Sequence, residues 1–308
     1  MFAASVYKMN VRASYDFPWR IGIVTFMANP KLLQGEEVAE TLETLAKDPF
    51  FDLLELNPPE KPEHWRAVEK VKDETGVEIA IGAQPLVLMR GVNPSALDEG
   101  KRRDALKALK EVIDEASAHG VTKVALCSGP DPGVDARAKA KEALIASLKE
   151  LAAHAKDRGV TIILETFDRE WDKRQLIGPI REAVEVAEAV RREHDNFGLL
   201  WDLSHAPMLG EKPSDLEIAA PYLAHIHVGC AKRLPDGTLK DWHPGFYRPG
   251  SINGVEEVEE LIEALSRIRY RGAIGFEVKP EEGQHWLEVV NAAKGVLYTA
   301  FARYVSKL

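Results

Sequence analysis

The sequence predicts an α/β protein built as one (β/α)8 TIM barrel. Three observations point there: eight short β-rich runs, amphipathic helical stretches between them, and no linker or low-complexity tract dividing the chain. A length of 308 residues suits one such barrel with a short extension.

In order, the β-rich runs are residues 20–26 (RIGIVTF), 51–56 (FDLLEL), 77–82 (VEIAIG), 122–127 (TKVALC), 160–166 (VTIILET), 197–203 (FGLLWDL), 223–228 (LAHIHV) and 273–278 (AIGFEV). Most are apolar at successive positions, as strands buried on both faces of a parallel sheet are. Helical patterning fills 98–119, 135–158, 178–194 and 255–269, with a last helix over roughly 284–304. Gly76, Gly120, Gly159 and Gly272 stand just before strands, where helices end in left-handed backbone. The short segment 213–222 predicts a reduced helix. The competing doubly wound sheet would want a Gly-rich phosphate loop after the first strand, and MANPKLLQG is not one. Residues 1–19 lie outside the repeat. They form an N-terminal extension that covers the barrel bottom or joins an interface, and the barrel runs over 20–308.

Forty basic against forty-nine acidic residues give a net charge of −9, which disfavours a phosphate backbone as partner. Cys127 and Cys230 make no disulfide framework and read as small buried residues. No signal-peptide pattern and no apolar run of about 18 residues is present. The expectation is a cytoplasmic protein with no membrane partner.

A barrel's active site sits at the C-terminal ends of its strands. Glu165 follows Ile162–Leu164, Asp202 follows Leu199–Trp201, and Glu277 follows Ile274–Phe276. A carboxylate placed after such a run is costly to bury unless a cation meets it, and no inward Arg or Lys is evident. Strand seven adds His227, with His225 one layer deeper on the same face and expected to be a hydrogen-bonded core histidine. Three carboxylates and an imidazole suit Mn2+, Mg2+, Co2+ or Zn2+. Asp202 and His205 make a D-x-x-H pair, so His205 can ligate metal or hold a substrate hydroxyl. The long loop after strand seven (GCAKRLPDGTLKDWHPGFYRPGS) carries Arg233 and the D-x-H pair Asp241 and His243, able to orient a substrate or bind a second metal. Trp19, Trp171, Trp201 and Trp242 are candidates for a sugar-stacking wall.

Glu, Asp, His and Glu at the ends of strands five to eight resemble the xylose isomerase-like superfamily of TIM barrels, the sugar isomerase/epimerase group. The resemblance covers most of the barrel and is densest from Glu165 to Glu277. It implies a divalent metal, Mn2+ by family habit, held by Glu165, Asp202, His227 and Glu277. It also implies a carbohydrate substrate, a homo-oligomer, and proton transfer beside a carbonyl through a metal-stabilised enediolate, with Glu165 and Glu277 as the catalytic pair. The ketose 3-epimerases of this group carry D-x-x-H and an Arg six residues after the metal histidine, which here are His205 and Arg233 and are implied to hold substrate. Their further Glu, six residues after the first metal Glu, is replaced by Trp171. The segments FDREWDKRQLIGP, NFGLLWDLSHAP, DWHPGF and FEVKP are similar to the large subunits of C-glycoside deglycosidases. That alternative implies a lyase on 3-oxo-glycosides with a small second subunit, although the Asn expected after H-x-G is Cys230. The apurinic endonuclease barrels share D-x-x-H and D-x-H but need extra histidines on strands two and three, where this chain has Asn57 and Gln84.

Overall fold

The computed structural model describes residues 17–308. Of the expected extension, residues 1–16 lie outside the described residues. Its last residues pack onto the barrel: Phe17 meets Phe50 and Phe301 edge-on, and the buried Trp19 indole donates to the Tyr270 carbonyl at 3.0 Å.

Eight parallel strands close into a barrel. They are β1 (Arg20–Val24), β2 (Leu53–Leu56), β3 (Glu78–Gly82), β4 (Lys123–Cys127), β5 (Thr161–Glu165), β6 (Phe197–Asp202), β7 (Leu223–Gly229) and β8 (Ala273–Glu277). Each pairs with its neighbours in sequence, and β8 returns to β1 with Ala273 opposite Arg20. The outer helices are α1 (Val38–Ala46), α2 (Pro62–Thr75), α3 (Glu99–Ala118), α4 (Val134–Lys156), α5 (Ile180–Arg191), α6 (Val255–Arg267) and α7 (Trp286–Val305). Between β6 and β7 the connection shrinks to a 3-10 helix, Pro213–Ala219, where a reduced helix was expected. No helix among the described residues is long and apolar enough to cross a membrane.

Local chemistry sets these boundaries. Asp98 caps α3 by accepting from the Lys101 amide at 2.8 Å. Gly76, Gly120 and Gly159 take positive φ (74°, 65° and 65°) after α2, α3 and α4. Gly272 does not: after α6 the left-handed residue is Arg269 (φ 56°), and Gly272 is needed because a Cβ there would lie 2.1 Å from the Tyr270 hydroxyl.

Alternation along the strands divides the molecule. Outward residues such as Ile162, Leu164, Leu199 and Trp201 join the large core under the helices. The barrel interior holds two small apolar plugs, Leu53–Ala80–Ala273 and Ala125–Ile163–Leu200. Glu165 shares its face with Ile163, and Asp202 with Leu200, so both carboxylates continue the inward column past the plug. Over the C-terminal ends, short helices begin directly after β1 (Thr25–Ala28), β3 (Gln84–Arg90) and just beyond β6 (Ala206–Leu209). The long loop after β7 is more ordered than its polar sequence suggests. It folds a small antiparallel sheet from Ala231–Arg233, Leu239–Lys240 and Ser251–Ile252.

Candidate metal centre and active site

Strand register brings the four expected ligands together. Asp202 stands opposite His227, and Glu277 stands opposite Gly229, two residues beyond His227. One donor atom from each of Glu165, Asp202, His227 and Glu277 falls within 4.8 Å of the others. Nδ1 of His227 lies 2.9 Å from Glu277 Oε2 and 3.5 Å from Glu165 Oε1. Yet Glu165 Oε1, His227 Nδ1 and Glu277 Oε2 are all buried without a hydrogen-bond partner. Buried polar atoms are rarely left so, and three converging on one point suit a cation that accepts N and O donors. The donor set therefore fits a divalent metal.

The electrostatics without a cation agree. Burial pushes the Asp202 carboxyl up from its ordinary range, with the neighbouring Glu277 charge adding to the effect. Burial would lower the His227 imidazole, but Glu55 and Glu277 outweigh it and hold the ring well above its ordinary value.

Glu55, unnoticed in the sequence, sits beneath the four candidate ligands. It is the penultimate residue of β2 and is buried in the barrel interior. Its Oε2 meets His227 Nε2 at 2.9 Å and its Oε1 meets His225 Nε2 at 2.9 Å. His225 is thus the hydrogen-bonded core histidine that its position predicted. By holding Nε2–H of His227, Glu55 leaves Nδ1 with its lone pair toward the other three ligands. Burial opposes the Glu55 charge, but the two imidazoles prevail and hold its carboxyl well below the usual carboxylate range. Gly275 makes room, since a Cβ there would lie 2.2 Å from Glu55 Oε1. The sequence signal was an acid inside an otherwise apolar strand run, FDLLEL.

A second buried group lies beside the ligands. Asp241 Oδ1 meets His243 Nε2 at 2.6 Å and His205 Nε2 at 3.2 Å, and His205 Nδ1 donates to the Thr166 carbonyl at 2.7 Å. Asp202, His205 and His243 also converge closely enough to share an ion. His243 has φ 48°, a strained value for a residue with a Cβ. It is held by its carbonyl, which accepts from the Lys279 amide at 2.7 Å, and by the bare Gly229, where a Cβ would lie 3.2 Å from His243 Nδ1. Burial lowers the His243 imidazole, but Asp241 and Glu277 raise it to about 9.

These groups frame a cavity of about 320 Å³ whose polar lining includes Glu165, His227, Asp241, His243 and Glu277. His205 is not part of the lining; it stands behind, supporting Asp241. Arg233 is not brought to the site. It is exposed at the end of its short strand. The cations of the cavity are Lys173 and Lys279 instead. Asp168 delivers Lys173 by accepting from three successive amides, Trp171, Asp172 and Lys173, at 2.7–2.8 Å. Nζ of Lys173 then contacts Asp172 at 2.9 Å and the Asp241 carbonyl at 2.8 Å, clipping the loop after β5 to the loop after β7. Gln84 donates to Glu165 Oε2 at 2.7 Å, and its buried Oε1 has no partner.

The expected tryptophan wall reduces to one residue. Trp242 lines the cavity, whereas Trp19 lies under the barrel, the Trp201 indole donates to Glu211 at 3.0 Å and the Trp171 indole to the Met208 carbonyl at 3.1 Å. Both cysteines are buried as expected, and burial raises both thiols. In place of the Asn expected at Cys230, Asn253 donates to the Gly229 and Leu203 carbonyls, each at 3.0 Å.

A family model described as xylose isomerase-like TIM barrel matches residues 41–297. The chain belongs to that family. No curated protein sequence matches it. Among solved structures it is similar to a D-tagatose 3-epimerase-like protein (20% identity, TM-score 0.71, 94% of this chain and 99% of that one). It is also similar to an IolI protein with a bound zinc atom (17%, TM-score 0.71, 92% and 99%). A third is a 3-keto-D-glucoside 4-epimerase from E. coli (15%, TM-score 0.65, 90% and 98%). At these identities the likeness establishes the fold of this xylose isomerase-like barrel.

Proposed function

We propose that this barrel is a divalent-metal-dependent sugar isomerase or epimerase that moves a proton on a carbon beside a carbonyl. The observation that carries the reading is the convergence of Glu165 Oε1, His227 Nδ1 and Glu277 Oε2, buried and unpartnered, with Asp202 at one point. Of the three solved structures described above, two are named as epimerase or epimerase-like and one is named with zinc, which supports the reading.

When bound, a divalent metal supplies positive charge next to the oxygen on which negative charge grows as the proton leaves. The chain's residues do the rest. Glu165 and Glu277 come from β5 and β8, so they approach a substrate from opposite sides. One takes the proton and the other returns it, to the same carbon or its neighbour. Gln84 orients Glu165 through Oε2 and offers its free Oε1 to a substrate hydroxyl. His243 is positioned to donate to a substrate oxygen, and Asp241 to hold that ring in place.

The test is exchange in D2O with Mn2+-loaded protein and a panel of ketoses and 3-oxo-glycosides, followed by NMR. Deuterium appears on the carbon beside the carbonyl, and Glu165→Gln and Glu277→Gln each lower the exchange rate by at least about a hundredfold. Turnover without exchange, or Glu165→Gln with full metal content and full rate, defeats the reading.

A further inference from the structure

Strands β6 and β7 pair irregularly below the ligands they carry. Leu199 stands opposite Leu223 and Leu200 opposite His225, so Ala224 is an extra residue in β7. Leu223 packs outward, against the large core under the helices. Ala224 packs with an interior plug, and His225 reaches Glu55 in the interior. Regular alternation from Leu223 would turn His225 and His227 outward. The extra residue turns both inward and sets His227 opposite Asp202. A bulge also disrupts the ladder around it, so the shifted register needs support at the ligand end.

At that end the strands part: Leu203 enters a turn and Cys230 leaves the ladder. The Leu203 amide still donates to the His227 carbonyl at 3.1 Å. Beyond it the link is a side chain. The Asn253 amide nitrogen donates to the Leu203 and Gly229 carbonyls, one hydrogen to each strand end, both at 3.0 Å. Leu203 follows Asp202. Gly229 stands opposite Glu277, so close that a Cβ on it would lie 2.3 Å from the Glu277 carbonyl oxygen. Asn253 has φ 87°, which glycine adopts freely and a residue with a Cβ seldom does. The backbone alone would therefore favour glycine here, and the side-chain amide is what asparagine adds. Its loop is anchored, since Ile252 pairs with Ala231 and the Cys230 thiol donates to the Asn253 carbonyl at 3.6 Å. We infer that Asn253 is a positioning residue for the metal centre, whose amide locks the bulged register in which Asp202 and His227 serve one ion. This rests on the reading of the four ligands as a metal site.

The experiment is Mn2+ titration by calorimetry, with urea denaturation of the metal-free proteins in parallel. Asn253→Gly removes the amide and relieves the backbone. Asn253→Asp keeps the shape and replaces the donors with acceptors. Each lowers Mn2+ affinity at least about tenfold. Leu148→Ala, buried in α4 among the helices, is the control: it loses more stability than Asn253→Gly and keeps wild-type affinity. Wild-type affinity in either folded Asn253 variant overturns the inference, and so does an equal loss of affinity in Leu148→Ala. A wild-type chain that binds no Mn2+ removes the metal reading and this inference together. Wild-type binding that the Asn253 variants leave untouched removes this inference alone.

Discussion

Glu55 decides whether His227 can serve as a ligand. Its two oxygens hold Nε2 of both His225 and His227 at 2.9 Å, so the metal-facing nitrogen of His227 is chosen by a residue four strands' worth of sequence away. Glu55→Gln keeps the shape but loses the acceptor for one ring. Metal affinity should fall about 10–100-fold, as read by Mn2+ titration. Unchanged affinity would remove Glu55 from this role. Gly275 works by absence. Gly275→Ala puts a methyl 2.2 Å from Glu55 Oε1, and the displacement should cost about 1–3 kcal/mol in metal-free denaturation as well as weakening metal binding. At this scale the convergence of the four candidate ligands was legible, because each polar group ends or punctuates an apolar strand run. Glu55 gave the same kind of signal. Lys173, Lys279 and Gln84 did not, since their loops carry no periodicity and an exposed-looking lysine reads as solvated. The role implied for Arg233 failed to find the cavity, because the small sheet after β7 turns that side chain to solvent.

Elements fix where these residues can reach. The loop after β5 is built on Asp168 and is clipped to the loop after β7 by Lys173, Asp172 and Lys240. Burial would lower the Lys173 ammonium, but Asp241 and Asp172 together outweigh it and raise the group. Lys173→Met should therefore free both loops, with faster limited proteolysis over residues 166–179 and 230–252, while the barrel helices stay protected. Asp131 pairs with Arg137 through two bonds, at 3.0 Å and 2.6 Å, tying the loop after β4 to the first turns of α4. The Arg137 hydrogen bond holds the Asp131 carboxyl below its ordinary range. Its folded pKa thus lies under the unfolded value of about 3.9, so the contribution is present above that pH and is lost as pH falls through the folded value. Asp131→Asn should lose about 0.5–1 kcal/mol at neutral pH, and the loss should shrink as pH falls below about 3.9, measured by urea denaturation across that range. All eight strands and five of the seven outer helices were readable within a few residues; α1 and α2 were not given bounds. Gly272 shows the limit: its place before a strand suggested a helix cap, while what requires it is the ring of Tyr270, two residues earlier, folded back over it.

The whole barrel puts carboxylates from three strands into one buried place, and among the described residues no lysine pairs with Glu165, Asp202 or Glu277. Adding Mn2+ at about a hundred times its dissociation constant should contribute about 2.7 kcal/mol. For a domain of this size that raises Tm by roughly 5 °C, as read by calorimetry with and without chelator. No shift would mean that the four ligands do not hold a cation.

The sequence by itself determined the alternation of strands and helices, the parallel barrel that follows from it, and the acids and histidine that end four of its strands. Those are properties of local pattern: apolar periodicity, helix caps and the cost of burying a charge. Only the tertiary structure decided that Glu55 orients His227 and that Lys173 rather than Arg233 reaches the cavity. Each of these depends on contacts between segments far apart in sequence, and no local pattern carries that information.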